Sequence, residues 1–517
     1  MAIPFTTRVE HARQSVLATQ DMSATTFAEW CLERLRSLLA HHYDNPHTAV
    51  YRDLLQRHGL DWGTAPRRGL FRRRAVSRQR LPTDDTRSLP DLLERLPITD
   101  RAFLTQGRYH EQPAVPREQV AFTPTSSGTT SDQPLIIAYS HHTLWSVNAD
   151  MIMMFPAFYG HDTATMTGYM VANFKRGLSV AQQPWATYGV FSALSDASEG
   201  HVRLGSIQDT MAQHIEQMQQ GNVTWACSSP IFYNQLIARA QPEDLQRLGL
   251  KLVLWGGMAQ RESDYEQVMR VLGASHSVGF YVSTESNIAA FQIADRGPYA
   301  VLSDRQIIEI VDAVGQHVQP GETGDVLVTC LDQDATPIIR YRVGDQARYL
   351  GHFARDAAVW HDLNVDLPDA QSLASNPIAR SITQHTMYFD QVSRAGGLSL
   401  AQGRVTYDEV AAMQRTMAQR GSPVPIFQLV KQRDTDGRDI ISVRLEASPE
   451  QAATAETNAR AVVVELAPAL AALLAAGTVA PLRVEIFAPG TLAAGKFKVP
   501  PIIDETLAKT QAGLSIN

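Results

Sequence analysis

The chain has 517 residues, 44% of them hydrophobic, and a formal net charge of −7. This length predicts one large domain and a smaller one, and the acidic balance argues against a nucleic-acid-binding protein. Three widely spaced cysteines, Cys31, Cys227 and Cys330, exclude a disulfide framework and a cysteine-based zinc site, and they favour a reducing cytoplasm. Residues 1–24 lack the basic start and apolar core of a signal peptide, so we expect a cytoplasmic protein with no membrane partner.

The first predicted element is an amphipathic helix at residues 26–40, where apolar side chains recur at helical spacing. Further along, residues 120–122 and 135–138 are apolar and predict two strands. Between them lies a tight loop of hydroxyl side chains around one glycine: Ser126, Ser127, Gly128, Thr129 and Thr130. Hydroxyls and closely spaced backbone N–H groups suit the oxygens of a polyphosphate. A plain Ser/Thr-rich turn explains the loop equally well when it is taken alone.

A strand, a glycine turn and a helix are predicted next, at residues 252–255, at Gly256 and Gly257, and at residues 263–272. A second strand follows and ends near Glu285. This order is typical of a doubly wound sheet, whose ligands lie beyond the carboxyl ends of the strands.

The end of this second strand carries polar side chains after an apolar run, in the sequence Phe-Tyr-Val-Ser-Thr-Glu. Tyr281 can stack on a base, Thr284 can bond a phosphate, and Glu285 can hold a hard cation such as Mg²⁺. The alternative is an ordinary strand exit with a solvated glutamate.

Two later motifs also suit a nucleotide. Residues 340–345 read Arg-Tyr-Arg-Val-Gly-Asp, and a carboxylate such as Asp345 after a glycine turn can accept both hydroxyls of a ribose. The alternative is a polar hairpin with an internal Arg–Asp pair. Residues 495–498 read Gly-Lys-Phe-Lys, where Lys496 is a mobile point charge that can reach a phosphate.

Together and in this order, the four motifs resemble those of the adenylate-forming superfamily of acyl-CoA synthetases, peptide-synthetase adenylation domains and luciferases. They look most like the phenylacetate–coenzyme A ligase branch, and the resemblance extends from about residue 30 to residue 504. It implies an α/β fold: a large N-terminal domain of doubly wound mixed sheets with helices, residues 1–392, and a small mobile α+β C-terminal domain, residues 393–517.

The resemblance also implies a role for each motif, with ATP or AMP and Mg²⁺ as cofactors. The residues implied in catalysis are Lys496, Thr284 and Glu285, of which Glu285 is also the metal ligand. The residues implied in nucleotide binding are Ser126, Ser127, Gly128, Thr129, Thr130, Gly256, Gly257, Tyr281, Asp345 and Arg394.

The chain departs from the family pattern at several positions. No Lys or Arg follows the hydroxyl loop, and Val282 replaces the glycine of the Tyr-Gly-x-Thr-Glu motif. The hinge motif is represented by Arg394 followed by Ala-Gly-Gly. A stretch at residues 351–392 has no clear family counterpart and exceeds common loop lengths.

In the small domain, residues 426–431, 439–445 and 482–487 predict strands. Ser448 followed by proline predicts a capped helix start there. The apolar residues 461–480 are rich in alanine and include a proline, so we expect a packed helix ending and a loop rather than a membrane span.

The identity of the acid substrate is the property that the sequence predicts least well. Five aromatic residues cluster around segments that line the acyl pocket in relatives: Trp225, Phe232, Tyr233, Trp255 and Phe280. They suit an aromatic acid. Aromatic residues at such spacing are equally consistent with plain core.

The implied reaction is ATP-dependent conversion of a carboxylic acid into an acyl-adenylate with release of pyrophosphate, followed by transfer to coenzyme A. One alternative transfers the acyl group to an amine, a carrier protein or another nucleophile. The other is a degenerate nucleotide-binding protein without catalysis. We expect a monomer or homodimer.

Overall fold

The computed structural model describes residues 14, 16–60, 88–125, 135–144, 146, 167–172, 202–257, 262–352, 356, 361–363, 377–435, 437–494 and 499–506. The hydroxyl loop around Gly128 and the Gly-Lys motif with Lys496 lie outside the described residues. The roles predicted for Ser126, Ser127, Thr129, Thr130 and Lys496 therefore stay predictions.

The described α-helices alternate with strands through most of the chain. They are α1 (Ala24–Asp44), α2 (Ala49–Arg57), α3 (Leu89–Arg95), α4 (Arg101–Gly107), α5 (Met211–Gln220), α6 (Pro230–Arg239), α7 (Pro242–Gln246), α8 (Glu262–Leu272), α9 (Pro377–Gln384), α10 (Tyr407–Gln419), α11 (Ala452–Leu466) and α12 (Pro468–Ala475). Short 3₁₀ helices are present at Pro46–Thr48 and Arg117–Gln119.

The described strands are β1 (Val120–Phe122), β2 (Tyr139–Ser140), β3 (Gly168–Ala172), β4 (Val202–Ser206), β5 (Trp225–Ser228), β6 (Leu252–Gly256), β7 (His276–Ser283), β8 (Asn287–Gln292), β9 (Tyr299–Val301), β10 (Gln306–Val311), β11 (Thr323–Cys330), β12 (Tyr341–His352), β13 (Met387–Arg394), β14 (Gly397–Ser399), β15 (Arg404–Thr406), β16 (Phe427–Arg433), β17 (Asp439–Glu446), β18 (Arg483–Phe487) and β19 (Ile502–Asp504). The short pair β1 and β2 flanks the hydroxyl loop. β1 confirms the strand predicted at residues 120–122, but the second strand begins at Tyr139 rather than within residues 135–138, where Ile136 makes an isolated bridge to Thr125.

Eleven strands form one mixed sheet in the order β10-β11-β12-β13-β9-β8-β7-β6-β5-β3-β4. Neighbours from β4 to β7 are parallel. Neighbours from β7 to β10 are antiparallel. The sheet confirms the predicted α/β class, and the predicted strand, glycine turn, helix and strand are β6, Gly256–Gly257, α8 and β7.

The parallel half is covered by helices because its strands are continuous apolar runs. The four residues from Leu252 to Trp255 are each at most 1% exposed. Tyr233 of α6 packs against Trp255 with ring centroids 4.8 Å apart, and its hydroxyl donates to the carbonyls of Ala226 and Leu254. One tyrosine thus fixes α6 to two neighbouring strands.

The N-terminal helices pack against the antiparallel half in a core that includes Leu35, Leu92 and Ile339. The predicted helix at residues 26–40 is confirmed as α1, where Ser23 accepts a hydrogen bond from the N–H of Thr26. His42 is fully buried on α1, and burial, with its neighbour His41, lowers the pKa of its ring to about 3.

The small domain is a four-stranded sheet in the order β18-β17-β16-β19, covered by α10, α11 and α12. Its predicted strands are confirmed as β16, β17 and β18. Thr406 and Glu409 form a capping box at the start of α10. Met413, Val443 and Leu470 are buried in one core between the helices and the sheet.

The apolar stretch predicted as a packed helix ending contains the end of α11 and the whole of α12. Together these helices have the length and composition of a membrane span, although they are bent by 104°, and no single described helix does. Pro468 begins α12. Val462 and Leu470 place the two helices in the core of the small domain.

Ser393 and Arg394, at the predicted start of the small domain, still pair with Gln346 and Asp345 in the large sheet. The start predicted for one helix of the small domain was wrong. Helix α11 begins at Ala452, not at Ser448, because residues 448–451 form a turn with its own backbone hydrogen bond. The unmatched stretch at residues 351–392 also supplies α9 and most of β13.

Candidate active site

The carboxyl ends of the parallel strands meet at one edge of the large sheet, where α/β proteins bind their ligands. Ser228 of β5 lies opposite Trp255 of β6, and Gly256 lies opposite Phe280 of β7. Gly257 has a φ of +83°, which glycine adopts readily, so the chain can turn sharply here. The edge therefore connects the segments predicted for the acid with those predicted for the nucleotide.

Thr284 and Glu285 follow β7 at this edge, and two tyrosines hold them. The hydroxyl of Tyr341 donates to Glu285 Oε1 at 2.9 Å, and that of Tyr139 donates to the carbonyl of Thr284 at 2.8 Å. Burial and the charge of Glu285 raise the pKa of Tyr341, so it remains a donor. Glu285 is only 8% exposed, and Tyr341 donates to one of its two carboxylate oxygens.

Within the described part of the chain, no three His, Cys, Asp or Glu side chains converge as a metal site. Mg²⁺ often binds through only one or two carboxylates and the phosphates of a substrate. Glu285, oriented by Tyr341, fits this kind of site.

Asp345 lies where the two domains join. Its Oδ1 accepts from Arg394 at 2.7 Å, and its Oδ2 accepts from the Tyr281 hydroxyl at 3.0 Å. Arg394 lies directly opposite Asp345 in the β12–β13 pair. Tyr407, at the start of α10, interacts electrostatically with both; burial raises its pKa, and Arg394 opposes that effect. The structure thus brings Asp345, Arg394 and Tyr281 together.

Tyr281 does not present its ring to a base. The ring is only 6% exposed and packs edge-on against Phe389 with centroids 5.4 Å apart. Antiparallel pairing of β7 with β8 turns this side chain into the core. The expectation of base stacking is therefore corrected: Tyr281 reaches the site through the hydroxyl that it donates to Asp345.

The two arginines of the motif at residues 340–345 pair with residues other than Asp345. Buried Arg340 donates to Glu309 at 3.1 Å and to the carbonyl of Leu96 at 2.9 Å. Arg342 lies 3.5 Å from Asp325. Asp345 takes its arginine from the next strand, so the motif is not a hairpin with an internal Arg–Asp pair.

The loop that leads to the Gly-Lys motif is fixed by a buried carboxylate. Glu446, at the end of β17, accepts from the backbone N–H groups of Gly490, Leu492 and Ala493 at 2.7, 2.6 and 3.3 Å. Ile231 of α6 packs against the apolar cluster that contains Leu492 and Ala493. The loop therefore lies against the large domain beside the edge of the sheet.

The predicted acyl-pocket aromatics separate into two groups. Trp225, Tyr233 and Trp255 are at most 1% exposed and belong to the core of the parallel half, so their prediction as pocket walls is corrected. Phe232 lines a cleft at the sheet edge. Phe280 is 7% exposed on β7 beside Gly256.

Sequence reasoning missed Tyr139, Tyr341, Tyr407 and Glu446. Tyr341 lies inside a motif that had been singled out, so its position was a usable signal. The others are brought to the site by strand pairing or by the second domain, and no local pattern marks them.

A large mixed sheet with Glu285 at its parallel edge, Asp345 in its antiparallel half, and a small α+β domain beside them defines an adenylate-forming ligase. Residues 71–329, half of the chain, match the family model described as "AMP-binding enzyme". The chain belongs to this family, in its phenylacetate–coenzyme A ligase-like branch.

Relatives with known names agree with this assignment. Phenylacetate-coenzyme A ligase of Pseudomonas putida is 26% identical over 337 residues, which are 63% of this chain and 67% of that protein. The protein of the same name from Escherichia coli (strain K12) is 25% identical over 284 residues, 53% of this chain and 61% of its own length. The alignments thus span about two thirds of these relatives or slightly less.

The fold is shared with 2-hydroxyisobutyryl-CoA ligase. Its structure in the postadenylation state, in complex with R3-HIB-AMP, has a TM-score of 0.62 at 15% identity and covers 94% of this chain and 92% of the other. An open conformation of that ligase with 2-HIB-AMP and CoA has a TM-score of 0.53, covering 94% and 93%. At this identity the comparison shows the fold.

Proposed function

We propose that this protein uses ATP to convert a carboxylic acid into an acyl-adenylate, releases pyrophosphate, and transfers the acyl group to coenzyme A. The observation that carries the proposal is the placement of Asp345 between Arg394 and Tyr281 in a chain of the AMP-binding family. The relatives are named as coenzyme A ligases for phenylacetate, which supports a thiol acceptor and makes arylacetic acids the first class to test.

In the first step, a carboxylate oxygen of the acid attacks the α-phosphorus, and the bond to the β-phosphate breaks. In the second, the thiol sulfur attacks the acyl carbon, the acyl–phosphate bond breaks, AMP leaves, and the thiol proton passes to solvent. Such reactions need positioning and charge stabilisation more than covalent help from the protein.

In this proposal, three of the described residues would supply the positioning. A carboxylate has about four acceptor sites, so Asp345 can still accept two ribose hydroxyls while it is held by Arg394 and Tyr281. Glu285 would hold Mg²⁺, which supplies positive charge to the phosphates when bound. Thr284 lies beside it, fixed through its carbonyl, and would contact the α-phosphate.

Acid-dependent ATP–pyrophosphate exchange across a panel of aryl and alkyl acids tests the proposal. We expect exchange with at least one class of acid. In Asp345→Ala, the KM for ATP should rise at least about tenfold, because two ribose hydroxyls lose their acceptor. The exposed Asp53→Ala on α2 is the matched control. A chain that binds ATP but shows no exchange with any acid would be a non-catalytic nucleotide-binding protein, and the proposal would fail.

A further inference from the structure

One cleft at the carboxyl edge of the large sheet has polar walls that adenylation itself leaves unexplained. It lies where β3, β4 and β5 end and where α5 and α6 begin, and it holds about 320 Å³ of space, including its open mouth. Ala493, from the loop that leads to the Gly-Lys motif, lines it. Ser228, at the end of β5, places it one strand away from Gly256. An acid bound in this cleft would lie beside the segments that are predicted to bind the nucleotide.

Three residues that line this cleft each carry a buried polar atom with no hydrogen-bond partner within the described residues. These atoms are His214 Nε2, Ser228 Oγ and Gln235 Nε2. His214 is 0% exposed and Ser228 is 2% exposed. Each buried polar group without a partner costs about 1–3 kcal/mol, and such groups are rare in folded proteins. Three of them around one cleft indicate that a polar group binds there.

A chain of hydrogen bonds fixes which nitrogen of His214 carries the proton. The carboxylate of Asp209 can only accept, and its Oδ2 accepts from the N–H of Ser206 at 2.8 Å and from Gln217 Nε2 at 3.2 Å. Gln217 Oε1 therefore faces Tyr169, whose hydroxyl donates to it at 2.7 Å. The Tyr169 oxygen, 2.6 Å from His214 Nδ1, must then accept from that nitrogen.

His214, which lines the cleft, therefore carries an unprotonated Nε2, an acceptor. Burial lowers the pKa of His214 and keeps the ring neutral, although Asp209 acts in the opposite direction. Gln235 Nε2 presents a donor, and Ser228 Oγ can act either way. Phe232, with its ring centroid 5.0 Å from that of His214, provides an apolar wall.

A group that fits must donate to His214 and accept from Gln235, which a hydroxyl does. A carboxylate has no proton to donate, and an ammonium group has no lone pair to accept with. We propose that this cleft binds a hydroxyl group of the acid, so that the substrates are hydroxylated carboxylic acids. The inference rests on the proposed adenylation for the identity of the ligand.

The test uses acids in pairs that differ by one hydroxyl: phenylacetate with its three ring-hydroxylated isomers, benzoate with hydroxybenzoates, and butanoate with 3-hydroxybutanoate. The full chain is assayed for kcat/KM in ATP–pyrophosphate exchange and for Kd by calorimetry. We expect one hydroxylated acid to exceed its parent by at least about tenfold, because the parent would leave the polar walls unpaired.

Substitutions in the cleft should remove that preference. Gln235→Leu and Ser228→Ala should bring the ratio between the paired acids towards one, while Gln219→Leu, the same change at an exposed position on α5, should leave the ratio unchanged. Equal handling of every pair by the parent protein would mean that the cleft holds only water, and would overturn the inference. So would a preference that both cleft variants retain.

Failure of the proposed function gives a different result. If no acid supports exchange, adenylation is wrong, and calorimetry alone decides the inference. Tighter binding of a hydroxylated acid that is lost in Gln235→Leu would still support it. Equal binding within each pair, or no binding of any acid, would overturn it.

Discussion

At the scale of single residues, the two carboxylates predicted for the nucleotide and its metal are each oriented by a tyrosine. Tyr341 holds one oxygen of Glu285, and Tyr281 holds one oxygen of Asp345. A neutral donor fixes the direction of a carboxylate without cancelling its charge. Of these two carboxylates, only Asp345 has a cationic partner among the described residues, which is Arg394.

Glu285→Gln should raise the Mg²⁺ concentration needed for half-maximal exchange by about tenfold and should slow adenylation, because a hard-cation site loses its charge. The fold should persist, since Tyr341 can still donate to the amide oxygen. Exchange rates measured across a Mg²⁺ titration check this. Glu118→Gln, at an exposed position, is the control, and an unchanged Mg²⁺ dependence in Glu285→Gln would mean that the metal binds elsewhere.

The sequence could predict which polar residues belong to the candidate site but not which side chains hold them. Glu285 and Asp345 were singled out from their motifs, and Arg394 from its resemblance to the hinge motif of the family. The relay from Asp209 to His214 joins residues from two segments through side chains alone. No periodicity or motif marks such contacts, so only the folded structure reveals them.

At the scale of elements, the loop before the Gly-Lys motif is held by one buried side chain. Glu446 is 2% exposed and accepts three backbone N–H groups from residues 490–493. A loop without regular structure would otherwise leave these donors to solvent. The carboxylate thus makes β17 the support of the loop that faces the cleft.

Glu446→Gln should lower kcat of adenylation by about tenfold with little change in the KM for ATP. The amide has one oxygen, and its NH₂ group would face backbone donors, so the loop loses its fixed position. Exchange kinetics at varied ATP check this split. Glu465→Gln, at an exposed position in the same domain, is the control. An equal loss of kcat in both variants would mean that Glu446 only stabilises the fold and does not position the loop.

Element types were more predictable than element limits. The strands of the small domain and helix α1 were correct because their apolar periodicity is strong. The start of α11 was wrong because Ser448 and Pro449 suit a helix start in isolation, while the chain uses them in a turn after β17. The aromatic residues of β5, β6 and α6 were ambiguous because buried core and pocket wall share one composition.

At the scale of the whole molecule, contacts between described residues join the domains beside the cleft. Arg239 of α6 donates to the carbonyl of Pro489 at 3.4 Å, and Ile231 packs against Leu492 and Ala493. The covalent link between the domains is short. The large sheet ends at Arg394, and β14 of the small domain begins at Gly397. Any change of domain orientation therefore concentrates in Ala395 and Gly396.

Gly396 has a φ of +87°, and a Cβ added there would meet no atom within 4 Å. Gly396→Ala therefore acts through the backbone alone and costs about 1–2 kcal/mol in the present conformation. Because Gly396 links the domains, the substitution destabilises the domain arrangement in which the 489–494 loop packs against the large domain. We expect adenylation to slow by about tenfold, while thioester formation from supplied acyl-adenylate is retained.

Gly421→Ala provides a matched control, since Gly421 has a φ of +73°, equally open surroundings, and a position inside the small domain after α10. It should lower the unfolding temperature by a similar amount but leave the ratio of the two half-reaction rates unchanged. Pyrophosphate release without an acceptor and thioester formation are measured separately on both variants. If Gly396→Ala lowers both rates in the same proportion as Gly421→Ala, the link is a passive connection, and the domains do not depend on Gly396 for their catalytic orientation.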